Sequence, residues 1–235
     1  MTTFTAGADR DADGRFAVLG SERPFDGAIV SVRVDTVAMP GGGAARREVA
    51  EHARAVAVVA LDDAGRVTLI EQYRHPLRRR LWEIPAGLMD VDGEPPLAAA
   101  QRELLEEAGL AAENWSVLVD LASSPGFCTE AVRVYLATGL TDVPAPDATD
   151  EEADLRLVRL PLGDAVAAVL RGDIVNATAV AGLLAAAHVL AAGHDATRSL
   201  RPGDDPWTDS AALVNGSGPI GDAATLAAPH GDQGR

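Results

Sequence analysis

Residues 86–110 read AGLMDVDGEPPLAAAQRELLEEAGL, and within them Arg102-Glu103-Leu104-Leu105-Glu106-Glu107-Ala108-Gly109-Leu110 decides both fold and chemistry. Pro95-Pro96 can open a helix, because an N–H missing from the first turn has no partner to lose. Leu97 to Ala108 continues on strong helix formers, and Gly109 is placed to end the helix in the left-handed conformation. On that helix Glu103, Glu106 and Glu107 stand at i, i+3 and i+4, so three carboxylates share one face. Clustered carboxylates repel, and a fold keeps them together when a cation offsets the repulsion; hard divalent ions such as Mg²⁺ take oxygen ligands. Glu94 adds a fourth carboxylate near the helix start, and Arg102 can hold one of these glutamates in place. A solvated acidic helix face has the same spacing, so spacing alone leaves both readings open.

Composition narrows the classes. The chain has 235 residues, 47% of them hydrophobic, enough for a sizeable core in one large domain or two small ones. No apolar run reaches membrane-spanning length and the first residues, MTTFTAGADRDADGR, have no basic-then-apolar leader, so no membrane partner and a cytoplasmic location are expected. A net charge of -15 argues against a general nucleic-acid binder. Cys128 is the single cysteine, which leaves no internal disulfide and suits a small packed side chain. Every basic residue besides histidine is arginine, so anion binding falls to guanidinium groups.

Outward from the helix, period-two patterning predicts strands. Ala28–Met39 and, after Pro40-Gly41-Gly42-Gly43, Arg46–Glu51 form one pair; Val56–Leu61 and Arg66–Gln72 form a hairpin about Asp62-Asp63-Ala64-Gly65. Tyr73–Arg80 is a basic loop whose Arg78-Arg79-Arg80 suits a solvated or dimer-facing surface. Further strands are expected over Trp115–Leu121, Ala131–Thr138 and Leu155–Leu160, and helices over Asp164–Arg171 and Asn176–Ala192. Four regions result: a flexible N-terminus, 1–20; a small antiparallel β subdomain, 21–52; the main domain, 53–200; and a disordered tail, 201–235, rich in Gly, Pro, Asp and Ala. His52 and His75 lack a partner at metal-ligand spacing and are read as structural.

The frame Gly87-x6-Glu94-x7-Arg102-Glu103-Leu104-x-Glu106-Glu107-x-Gly109-Leu110 resembles the box of the Nudix hydrolase superfamily. Every fixed residue is present; the departure is six residues instead of five between Gly87 and Glu94. Flanking features resemble the ADP-ribose pyrophosphatase subfamily. Pro125 lies 15 residues past Leu110, Leu69-Ile70-Glu71-Gln72-Tyr73-Arg74 resembles the strand that supplies a substrate arginine, and Arg46-Arg47-Glu48-Val49-Ala50-Glu51 resembles the segment that supplies another.

The resemblance implies an α/β fold: the Nudix α/β/α sandwich with a mixed sheet, preceded by a small antiparallel N-terminal sheet exchanged within a homodimer. It implies hydrolysis of ADP-ribose to AMP and ribose 5-phosphate with two or three Mg²⁺ ions, Mn²⁺ being an alternative. Glu103, Glu106, Glu107 and the carbonyl of Ala86 would hold metal. Arg47, Arg74, Pro125, Glu130 and, as the adenine-stacking aromatic, Phe25 would meet substrate. The base would come from Asp150-Glu151-Glu152-Ala153-Asp154, with Glu152 first and Glu151 second. NADH or a nucleotide sugar as substrate, or a non-catalytic ADP-ribose sensor, are the competing readings.

Overall fold

The computed structural model describes residues 14–145, 154–193, 197 and 199–207. In chain order the strands and helices are β1 (Val18–Asp26), β2 (Val30–Ala38), β3 (Ala44–His52), β4 (Ala55–Ala60), β5 (Arg66–Arg74), β6 (Arg79–Glu83), β7 (Ala86–Leu88), α1 (Pro96–Ala108), β8 (Leu110–Ala122), β9 (Ala131–Asp142), β10 (Arg156–Pro161), α2 (Leu162–Arg171), α3 (Ala177–Ala191) and β11 (Arg201–Pro202).

Strand β4 organises the molecule. All six of its residues are buried. Val56, Val58 and Ala60 pack with Ala99, Ala100 and Leu104 of α1, while Ala57 and Val59 pack with Ala179, Leu183 and Ala186 of α3. A strand apolar on both faces needs cover on both, and three layers follow. The central sheet runs β11-β8-β9-β4-β7, with β4 and β9 parallel and the other neighbours antiparallel. Gly182 lets α3 sit close: a Cβ there would lie 3.1 Å from Ile84, Val134 and Val59. This is the expected α/β/α sandwich with a mixed sheet. A second sheet, β10-β5-β6, flanks the box strand, and β1-β2-β3 forms the small antiparallel sheet ahead of both.

Helix α1 has the expected limits. Pro95 caps its start, and Gly109 closes it at φ 61°, a left-handed value that costs glycine little. Asn176 caps α3 by accepting from the Ala179 amide at 2.9 Å.

Three expectations are corrected. Strand β1 begins at Val18, inside the stretch expected to be flexible, because its backbone pairs with β2 although its side chains are exposed. The basic loop shrinks to a 3-10 turn at His75–Leu77, since the β5–β6 pairing continues to Arg74 opposite Arg79. The first residues of the tail are ordered: β11 pairs with β8, and Arg201 reaches Asp120 at 2.8 Å. Glu151, Glu152 and residues 208–235 lie outside the described residues.

Candidate functional site

The acidic edge of α1 lies against β7, and the two meet without room to spare. A Cβ on Gly87 would fall 2.1 Å from the Glu103 carboxyl carbon. A side chain here has room only if the Glu103 carboxylate, 8% exposed, moves aside. Gly87→Ala is therefore expected to cost about 1–3 kcal/mol, roughly 3–9 °C in melting temperature for a chain of this size. Calorimetry checks this, and an unchanged melting temperature would mean that Glu103 swings freely aside.

Glu103 and Glu107 are each only 8% exposed, whereas Glu106 is half-buried. Arg102 gathers the acids around it. Its guanidinium donates to Glu94 at 3.2 and 3.0 Å, to Glu103 at 2.6 Å and to Glu106 at 3.0 Å. Glu94 foremost, then Glu103 and Glu106, hold that guanidinium well above its ordinary value, and Arg102 in turn depresses Glu94. Glu107 is placed differently: its Oε2 accepts from the Ala86 amide at 2.8 Å. Burial pushes the Glu107 carboxyl up to about 8, the Ala86 hydrogen bond opposes the shift, and neighbouring Glu103 adds to it. Burial also raises Glu103, against the pull of Arg102.

The three box carboxylates were expected to converge on one small volume; they divide instead. Glu103 and Glu106 turn to one guanidinium nitrogen, and Glu107 turns to the β7 backbone. Among the described residues no three His, Cys, Asp or Glu side chains form a ready metal cage. The donor set still fits a hard divalent cation: it is all oxygen, two members are buried, and burial drives Glu107 toward its neutral form. Ala86 stands opposite Ala57 in the β4–β7 register, with its amide turned to Glu107.

Strands β5 and β6 lie beside this edge, β5 in contact with α1. Arg74 donates from Nε and Nη2 to Glu83 at 2.9 and 2.7 Å, a forked pair with a carboxylate only 2% exposed. Both charges are felt by Glu107, Arg74 lowering its pKa and Glu83 raising it, so this pair belongs to the same site. Glu83 was not singled out by sequence. The available signal was a lone acid within the apolar run Leu81-Trp82-Glu83-Ile84. Arg80, on β6, binds Glu71 at 3.1 Å and Asp154 at 2.5 Å, the last residue of the segment carrying Glu151 and Glu152.

Pro125 and Glu130 belong to the β8–β9 connection, which docks on the end of β3. The Ala50 amide donates to Phe127 O at 2.7 Å, Thr129 N donates to Ala50 O at 3.0 Å, and the His52 amide donates to Thr129 Oγ1 at 3.0 Å. Glu130 accepts from the Ser123 hydroxyl and lies 3.7 Å from His52 Nδ1. Arg47 and Phe25 are not brought to the box in this single chain. Arg47 is exposed on β3, donating to Arg46 O at 2.9 Å, and Phe25 is exposed on β1.

Comparison with known proteins agrees with this geometry. A model of the NUDIX domain matches residues 51–178. The chain is 52% identical over 198 residues to "ADP-ribose pyrophosphatase" of Mycobacterium tuberculosis (strain ATCC 25618 / H37Rv), covering 84% of this chain and 94% of that one. It is 35% identical over 159 residues to "ADP-ribose pyrophosphatase" of Bacillus subtilis (strain 168), covering 68% and 85% respectively. A crystal structure of an ADP compounds hydrolase superposes with a TM-score of 0.66 at 23% identity, covering 76% of this chain and 95% of that one, a likeness of fold. With its box edge intact and these relatives matched over most of their length, the chain belongs to the NUDIX family of hydrolases.

Proposed function

We propose that this protein hydrolyses the diphosphate of ADP-ribose to AMP and ribose 5-phosphate with a divalent cation, Mg²⁺ first and Mn²⁺ as an alternative. The observation that carries the reading is the meeting of α1 with β5, which sets the buried Glu103 and Glu107 edge near the Arg74–Glu83 pair. The α1 edge offers oxygen donors for metal, and Arg74 a guanidinium for phosphate oxygens. The names of the relatives from M. tuberculosis and B. subtilis support ADP-ribose as substrate.

Glu103, Glu106, Glu107 and the Ala86 carbonyl would hold the cation. Bound there, it would neutralise diphosphate charge and lower the pKa of a coordinated water. Arg74, held by Glu83, would turn its guanidinium to the diphosphate, and Arg102 keeps Glu94, Glu103 and Glu106 from repelling one another. Glu152, or failing it Glu151, would take the proton from the attacking water. Pro125 and Glu130 would border the terminal ribose through the docked 123–130 loop.

Arg47 and Phe25 fit a role across a homodimer. Strand β1 is exposed along its whole length, and Phe16, Val18, Leu19, Phe25 and Ile29 present apolar surface that a second copy of the sheet would cover. In that arrangement Phe25 and Arg47 would serve the partner's substrate, one by stacking on adenine and the other by binding phosphate. No described helix is long and apolar enough to cross a membrane.

The test is AMP release from ADP-ribose with Mg²⁺, run beside NADH and a nucleotide sugar. Fastest turnover on ADP-ribose is expected. Faster turnover on another diphosphate overturns the substrate, and binding without turnover under any metal overturns the enzyme.

A further inference from the structure

The segment after Leu200 is tied to the base of the 123–130 loop by a guanidinium that has almost no access to water. Arg133 is 1% exposed and faces Asp120 across the β8–β9 pair, near the last pair before the loop, Ala122 with Ala131. It donates from Nε and Nη2 to Asp120 at 2.8 and 3.1 Å, and from Nη1 to the carbonyl of Asp205 at 2.5 Å. The indole of Trp207 lies 4.9 Å from the Arg133 guanidinium and 5.4 Å from that of Arg54, both within cation–π range.

The segment is fitted as well as tethered. A Cβ on Gly203 would fall 2.9 Å from the Cβ of Trp115, so a side chain there would lift the strand away. Arg201 reaches Asp120 at 2.8 Å and Asp205 at 3.2 Å. A buried arginine stripped of acceptors and cover is costly, so the 201–207 segment completes an environment that the hairpin cannot supply alone.

Trp207 therefore joins two parts of the site. Arg54 leads into β4, and its carbonyl accepts from the Met89 amide at 2.8 Å, directly beyond β7 with its Gly87. Arg133 sits in register with Val56, which pairs with Gly87 on its other side, so Gly87, Val56, Arg133 and Asp120 form one row across four strands. One end of the row touches Glu103 and the other carries the 123–130 loop.

We propose that Trp207 is a positioning residue for substrate: through Arg133 and Arg54 it sets the 123–130 loop against the box strand. This rests on the reading that the loop borders ADP-ribose.

Hydrogen exchange by mass spectrometry and steady-state kinetics on the full chain test it, with Trp207→Leu, Trp207→Phe and Arg54→Met beside the wild type. Trp207→Leu is expected to speed exchange across residues 123–131 by about tenfold while residues 96–108 keep their protection. KM for ADP-ribose rises by about tenfold with kcat within about twofold, and Trp207→Phe restores most of both. Exchange that rises equally in α1, or not at all in the loop, overturns the proposal, as does a local exchange response with KM unchanged. Should Trp207→Leu fail to fold, Arg54→Met must show the same local pattern at smaller size, and its absence is equally decisive. If the wild type does not turn over ADP-ribose the proposed function falls, while the exchange pattern still decides whether Trp207 holds the loop.

Discussion

Glu107→Gln is expected to abolish hydrolysis of ADP-ribose and to stabilise the metal-free protein as the pH is raised toward 8. Burial pushes this carboxyl up to about 8 from an ordinary value of 4.5. Above pH 4.5 the unfolded chain gives up a proton that the folded protein keeps until about 8. The group's favourable contribution is thus complete below 4.5 and is lost as the pH rises through that window. With 1.36 kcal/mol per unit, the loss at alkaline pH is about 3–5 kcal/mol. Glu94 and Asp120, whose carboxyls are depressed, shift stability only at more acid pH, and Glu103, also raised by burial, is present in wild type and variant alike. Glutamine stays neutral throughout, so in EDTA its melting temperature should gain on the wild type steadily between pH 5 and 8. A difference independent of pH would mean that Glu107 is charged in the folded protein. Because a metal must displace the proton, Mg²⁺ affinity of the wild type should rise over the same interval. The charge needed for that binding is missing from the variant, and kcat should fall by about 10²–10³-fold or more.

The helix behind that prediction could be read from sequence because its signals are local. Pro96 and Gly109 mark its ends, and the spacing of Glu103, Glu106 and Glu107 fixes which of them share a face. Which glutamate is buried was not legible, since that depends on where β7 lies: Gly87 meets Glu103, the Ala86 amide meets Glu107, and Glu106 meets Arg102. Arg102 was read as steadying one glutamate and in fact spans three acids. Glu83 escaped because its partner Arg74 lies nine residues away and only the hairpin register, Ile70 opposite Glu83, brings them together. The strand after Leu200 escaped because its composition is that of a loop; its order comes from Asp120, Arg133 and Trp115, all distant in sequence. Strand β1 lacks a buried side, so period-two patterning had nothing to register. Arg47 and Phe25 are legible only as family positions, since their proposed contacts lie on a second copy of the chain.

Arg102→Met should destabilise the metal-free protein and enlarge the stabilisation that Mg²⁺ brings. The guanidinium is the counter-charge nearest to Glu103, whose carboxyl is already raised by burial. Breaking a fully buried pair costs about 3–5 kcal/mol; Arg102 keeps some contact with water, which lowers the expectation to roughly 2 kcal/mol. Methionine retains most of the aliphatic stem while removing the charge. A cation at the site can then supply what the guanidinium did for Glu103 and Glu106. At a free concentration of 100 times Kd the stabilisation by a bound ion is about 2.7 kcal/mol, comparable to the loss. Melting curves of wild type and variant in EDTA and over a Mg²⁺ series at pH 8 measure both quantities. A larger Mg²⁺ shift in the variant means that guanidinium and metal serve the same carboxylates in turn, with Arg102 holding them until the ion arrives. Equal shifts would mean that they act on different carboxylates, and Glu107, bound to the β7 backbone and beyond the reach of Arg102, would then be the residue through which the metal stabilises the fold.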